Sequence, residues 1–297
     1  MFRWRNKRAL ALGGGSARGI AHLGFLKVLE DHNLMPDMII GTSFGAMIGG
    51  AYASGHYTVS ELIEKLKDLI FSDEFKEMGI GLITNADQES NIKFINQLRE
   101  SIKKIKFYHA LLNRKFIVSN DKLEKVLRII IPDINIEDMP VKFAAVALDL
   151  KTKKEFLMDK GSLVRSILAS SCIPGVFEPV NMKNMLLVDG GWINKVPVPF
   201  ARSLGADKII AIDVSNPFHQ KVEYKSGLAL LRFADSITAN ILKSYQIMTA
   251  DLVICPIRSR VEWFEFGKYK KIIQYGEKAA LLYLPQIKKI FRKHFFS

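Results

Sequence analysis

Twice within the first fifty residues, a short apolar run meets glycine and passes straight into a helical pattern. Arg8-Ala9-Leu10-Ala11-Leu12 ends at Gly13-Gly14-Gly15, and residues 19–31 follow with apolar side chains at Ile20, Leu23, Leu26, Val28 and Leu29. Met38-Ile39-Ile40 ends at Gly41, and the small-residue segment 44–53 reads as a buried helix. Further short apolar runs stand at 143–147, 186–188, 209–212 and 252–254. Short apolar strands alternating with helical segments predict an α/β fold: a three-layer, doubly wound, mostly parallel sheet with helices on both faces.

The junctions carry the chemistry. Gly41-Thr42-Ser43-Phe44-Gly45 fits the G-x-S-x-G nucleophile elbow and lies between a strand and a helix, where an elbow must lie. A sharp turn there lifts the serine hydroxyl out of the sheet, and the following helix aims its positive end at the oxyanion that forms on attack. The alternative is an N-cap serine on a tight turn. Gly13-Gly14-Gly15-Ser16-Ala17-Arg18-Gly19 can present several N–H groups to one anion, as a phosphate cradle or as an oxyanion hole. The dinucleotide spacing G-x-G-x-x-G fails in both registers, and no G-x-x-x-x-G-K-[ST] is present. An oxyanion hole paired with Ser43 fits better, with Arg18 stiffening the loop or holding anionic substrate. Asp189, before Gly190-Gly191, is a candidate base, although Asp-Gly-Gly is commonly a plain turn.

A serine nucleophile usually leans on histidine. Of the six histidines only His219 and His294 follow Asp189, in a polar run and a basic tail, and His22 lies on the helix after the glycine loop. None is a convincing triad base, which leaves a Ser43–Asp189 dyad.

These motifs, in this order, resemble the patatin-like phospholipases, specifically their bacterial single-domain members. Gly14 to Gly19 is similar to the family's oxyanion loop, Gly41 to Gly45 to its elbow, and Asp189-Gly190-Gly191 to its D-G-[AG] box. Residues 147–150, 169–177, 194–198, 250–254 and 276–280 also read like family segments, so the likeness covers about 8–285. The resemblance implies a histidine-free dyad, with Ser43 as nucleophile, Asp189 as base, and oxyanion N–H groups at Gly14, Gly15 and Ser16. Ser16 stands where the family often has glycine. The implied activity is hydrolysis of phospholipid or related acyl esters, without cofactor or metal. The alternative is a lipid-binding or regulatory protein of the same fold with little turnover.

Lys plus Arg number 43 against 30 Asp plus Glu, a formal charge of +13 over 297 residues. No binding motif accompanies that excess, so nucleic acid is not the expected partner. The charge clusters instead. A basic arm occupies 1–7, and basic runs lie within a polar helical insertion at about 60–130. One hydrolase domain spans 8–285, and a basic tail follows it at 286–297. The tail's spacing suits an amphipathic helix, either entering an anionic lipid surface or docked on the core. Strand one places the arm roughly 15 Å from the glycine loop. The insertion, at 99–115, is therefore the better candidate for a lid. Cys172 and Cys255 are too far apart in sequence for a CxxC pair, and no run of about 18 apolar residues occurs. A cytoplasmic protein with peripheral contact to an anionic membrane is the expectation.

Overall fold

The computed structural model describes residues 7–78, 109, 113–217 and 227–292. The arm 1–6, most of the insertion, His219 and His294 lie outside the described residues. The elements in order are β1 (Arg8–Leu12), α1 (Ala21–Asp31), β2 (Met38–Thr42), α2 (Phe44–Ala53), α3 (Val59–Phe71) and α4 (Asp73–Glu77). Then come α5 (Asn120–Leu127), β3 (Lys142–Asp149), β4 (Lys154–Met158), α6 (Leu163–Ser171), β5 (Val180–Met182) and β6 (Met185–Asp189). The chain continues with α7 (Val198–Ser203), β7 (Lys208–Ile212), α8 (Gly227–Ile247), β8 (Leu252–Ile254), α9 (Tyr269–Leu282) and α10 (Leu284–Phe291).

The eight strands form one sheet in the order β5-β6-β3-β2-β1-β7-β8, with β4 also paired to β3. β3, β2, β1, β7 and β8 run parallel, whereas β4 and β6 are antiparallel to β3, and β5 is antiparallel to β6. The sheet is thus mostly parallel, as expected, with an antiparallel end. Period-two alternation sorts the strand side chains between two cores. Leu10, Leu12 and Ile39 enter a large core beneath α1, α2, α3, α6 and α9, while Ala9, Ala11, Met38 and Ile40 face a smaller one beneath α7. Helices therefore cover both faces.

Two regions bear on the membrane expectation. The apolar stripe of α10 is docked: Ile287 and Phe291 are buried in the large core, and the Arg8 guanidinium lies over the Phe291 ring. Arg8 opens β1, so the tail helix sits at the strand-start edge, opposite the glycine loop. The described part of the insertion includes most of α3 and all of α4 and α5, with a non-helical stretch before α5 that bridges Val118 to Phe177. The Thr58 side chain and Glu61 form a capping box that starts α3, and Ser72 caps α4. Both cysteines are free thiols, Cys172 buried and Cys255 exposed.

Candidate active site

Strand register brings Ser43 and Asp189 together. β3 pairs with β2 over 142–146 and with β6 over 147–149, and these stretches do not overlap. β4 pairs with β3 over 145–149, which overlaps both. It must take the other edge, so β2 and β6 share one. β2 runs up to that meeting point and β6 runs down to it. Thr42 stands opposite Val146 and Asp189 opposite Ala147, its neighbour along the strand. Ser43 follows Thr42, and the side chains of Ser43 and Asp189 meet head to head.

The elbow is tight. Ser43 has φ 55° and ψ −126°, in the left-handed half of the map that a side chain seldom occupies, and such strain gathers at functional sites. Its N–H donates to Ser170 Oγ at 2.9 Å, and that hydroxyl donates to the Val146 carbonyl at 2.7 Å. Thr42 Oγ1 donates to the Asn194 carbonyl at 3.0 Å, tying the elbow to the segment after Asp189. A Cβ on Gly45 would lie 2.3 Å from the Leu12 carbonyl oxygen, so α2 approaches the end of β1 at a distance only glycine permits.

Asp189 is almost fully buried, with its Oδ1 accepting from Gly191 N–H at 2.7 Å. Burial pushes its carboxyl up to about 6, against the opposing pull of the Ser43 hydroxyl, the Gly191 N–H and the Lys195 ammonium. Lys195 is itself lowered to about 8, first by burial and then by Arg18.

The glycine loop is held on every side. Gly13 N–H donates to the Ile212 carbonyl at 3.0 Å, Gly14 N–H to the Lys195 carbonyl at 2.9 Å, and Ala17 N–H to the Trp263 carbonyl at 3.1 Å. Gly14, one of the three donors expected from the sequence, is therefore already committed. Among the described residues, the N–H groups of Gly15 and Ser16 take no protein acceptor. Ser16 has φ 50°, which accounts physically for a position that suits glycine. Arg18 is the stiffener: Nε donates to the Val214 carbonyl at 3.2 Å and Nη1 to the Val261 carbonyl at 3.0 Å. Both bonds brace the loop against the segments after β7 and β8.

His22 belongs to the scaffold. Its Nε2 lies 2.8 Å from the Gly13 carbonyl, which can only accept, so Nε2 carries the proton. Complete burial lowers the ring to about 4 and leaves it neutral. Sequence reasoning missed Ser170 and the backbone of Lys195 and Asn194. Ser170 sits 127 residues from Ser43, and no local pattern marks a serine as a buried bracket.

In front of Ser43 lies a mostly apolar cleft that opens to solvent at its mouth. Ser16, Ser43 and Ser171 supply hydroxyls, and Phe44, Met47, Ile173, Phe177 and Phe266 apolar walls. The insertion contributes Leu69, Phe75 and Met78 from one side and Leu123, Val126 and Leu127 from α5.

Residues 10–202 match the patatin-like phospholipase family. An NTE family protein of Mycobacterium tuberculosis is 30% identical over 207 residues, spanning 70% of this chain and 49% of the relative. Human patatin-like phospholipase domain-containing protein 6 is 30% identical over 213 residues, 71% of this chain and 14% of that one. The chain thus spans about half the length of the mycobacterial relatives and a smaller share of the human one. The crystal structure of VipD from Legionella pneumophila superposes with a TM-score of 0.50 at 15% identity, covering 95% of this chain and 67% of VipD. That likeness concerns the fold alone. With the elbow, the glycine loop and the D-G-G turn at one edge of the sheet, and a family match across most of the domain, the chain belongs to the patatin-like phospholipase family.

Proposed function

We propose that the protein hydrolyses carboxylic esters of phospholipids or related acyl lipids through a Ser43–Asp189 dyad. The observation that carries this reading is the head-to-head meeting of β2 and β6, which sets a buried carboxylate against an elbow serine. Asp189 accepts the Ser43 proton as Oγ forms a bond to the ester carbonyl carbon. The carbonyl oxygen becomes an oxyanion, held by Gly15 and Ser16 N–H with support from the N-terminal end of α2. The intermediate collapses, the C–O bond breaks, and the leaving alkoxide takes the proton from Asp189. Water then attacks the acyl-enzyme and gives its proton to Asp189, which returns it to Ser43 as the fatty acid leaves. A carboxyl near 6 suits this cycle, because it is ionised at neutral pH and is a stronger base than an ordinary carboxylate.

The apolar walls of the cleft support a fatty acyl chain as the acyl part. The test joins two measurements on purified protein. A fluorophosphonate probe should label the wild type and leave Ser43→Ala unlabelled. Mass spectrometry of products from a panel of phospholipids, lysophospholipids and neutral glycerides should show free fatty acid from the wild type only. Full labelling of Ser43→Ala would move the nucleophile elsewhere. Absence of both labelling and product from the wild type would favour the lipid-binding alternative.

A further inference from the structure

Helix α8 (Gly227–Ile247) is amphipathic the wrong way round for a soluble surface. Its outer face carries Leu231, Ile241, Tyr245 and, one residue beyond, Met248, which are 70%, 53%, 67% and 74% exposed. Its inner face carries Ser236, Asn240, Lys243 and Gln246. An ordinary surface helix turns its apolar stripe to the core. Here the polar stripe faces the body, joined at its end by Ile247 on the smaller core, and two of its members satisfy themselves on the helix backbone: Ser236 Oγ donates to Phe233 O, and Asn240 Nδ2 to Ser236 O. Asp235 is the one charged side chain described on the outer face. Contiguous exposed apolar surface of this kind marks an interaction site.

The anchoring sets where that stripe lies. Lys243 Nζ pairs with Asp213 at 2.7 Å, just past the C-terminal end of β7. Gln246 Oε1 accepts from Lys195 N–H at 3.2 Å, and its Nε2 donates to the Ile193 carbonyl. After Ile247 the chain turns into β8, which pairs in parallel with β7. Sixteen residues precede Lys243 in the helix, about 24 Å at 1.5 Å per residue. Trp192, in the turn after Asp189, is 53% exposed and joins the same edge through its neighbour Ile193.

We infer that α8 and Trp192 form the surface by which the protein docks on an anionic lipid bilayer. The inference rests on the acyl-hydrolase reading only in taking a lipid assembly as the place where substrate is met. Three observations select a bilayer. The helix that carries the stripe is anchored through Gln246 to the segment 193–195, whose Lys195 carbonyl holds the Gly14 N–H. The chain carries +13, with Arg258 exposed on the loop after β8 at the same strand-end edge, as an anionic surface requires, while neighbouring Arg260 is paired with Glu262. A second copy fits poorly, because a strip one helix wide and about 30 Å long gives about 300 Å² per partner, well short of the roughly 800 Å² of a standard interface.

The experiment uses the full chain carrying Ser43→Ala, so that binding is read without hydrolysis. Flotation with phosphatidylcholine vesicles containing phosphatidylglycerol should recover the protein, and Leu231→Ser, Ile241→Ser and Tyr245→Ser together should weaken recovery at least tenfold. In the Ser43 background the same triple variant should keep turnover of a short soluble ester and lose turnover of vesicle lipid. As a second reading, Ile241→Trp should have its added fluorescence quenched by brominated acyl chains. Unchanged flotation of the triple variant, or an unquenched Trp at 241, overturns the inference. So does a wild-type dimer that the triple variant converts to monomer while vesicle binding persists. A wild type that floats but hydrolyses no ester would fail the acyl-hydrolase reading alone.

Discussion

Helices α2 and α8 are both rich in apolar residues, and the protein uses them in opposite ways. In α2 every residue after Phe44 is buried, and small side chains let it sink between the sheet and α6. A Cβ on Gly50 would lie 2.9 Å from Ile167 Cδ1. In α8 most of the large apolar residues point out, Ile247 on the smaller core excepted, and one end is tethered by an ion pair and two amide hydrogen bonds. Apolar character therefore has two meanings here. In α2 it holds Ser43 still, since the helix cannot shift without moving β1. In α8 it adds little to the fold and is free to meet something outside it. The difference is in packing, and substitutions in the two helices should separate it.

The largest effect belongs at the rigid end. Asp189→Asn keeps the shape and the Gly191 hydrogen bond but removes the proton acceptor. Turnover of a soluble ester should fall by about 10²–10⁴-fold. In the wild type the rate should rise with pH through about 6 and then level off, because the base acts ionised and burial has raised it to that value. That limb overlaps the range of a histidine base, so the substitution discriminates and the pH profile alone does not. A stability change should accompany the loss. Between the ordinary carboxyl value of 3.8 and about 6 the folded state holds the proton longer than the unfolded chain does, so stability falls as pH rises through that window. Above it the whole penalty is present. Asp189→Asn should then raise stability at pH 8 by roughly 1–3 kcal/mol, read by urea denaturation. An active Asn variant would end the dyad assignment.

Next comes Gly45→Ala on α2. Its Cβ would meet the Leu12 carbonyl oxygen at 2.3 Å, a contact with backbone that no side-chain rotation relieves. We expect a loss of about 1–3 kcal/mol, and a fall in turnover because the elbow must shift. A variant as stable and active as the wild type would show that α2 is less constrained than its packing implies.

How much of this could be seen in the chain follows the same division. The runs 143–147, 186–188, 209–212 and 252–254 became β3, β6, β7 and β8 because an apolar stretch buried on both faces has few other uses. The direction of β6 was not legible, since strand polarity depends on the path between strands. Yet that direction is what brings Asp189 to Ser43. β4 was not legible either. Lys154-Glu155-Phe156-Leu157-Met158 opens on two charges and is only part-buried, so it reads neither as a continuous apolar run nor as a clean alternation. The elbow, the loop and the D-G-G turn were legible as motifs, because each needs glycine where backbones touch. Which loop N–H groups stay free was not, because the Lys195 carbonyl that takes the Gly14 N–H is remote in the chain. For α8 the periodicity was present in the sequence, but a period cannot say which stripe faces the core. The tail is the converse case, since a stripe that suited a lipid surface docks through Ile287 and Phe291.

The smallest effect is the sharpest test of the contrast. Ile241 is 53% exposed, so Ile241→Ser removes little buried area and leaves no cavity. Its neighbours along the outer face are equally unpacked, and the anchors Lys243 and Gln246 lie on the other stripe. A substitution of this kind should change unfolding free energy by less than about 0.5 kcal/mol, in either direction, by urea denaturation in detergent-free buffer. A serine in a helix interior is only slightly less favourable than isoleucine by propensity, so the helix itself should persist in circular dichroism. A loss above about 2 kcal/mol is the range of a buried aliphatic side chain. It would mean that Ile241 packs against protein in solution, and that α8, like α2, serves the fold.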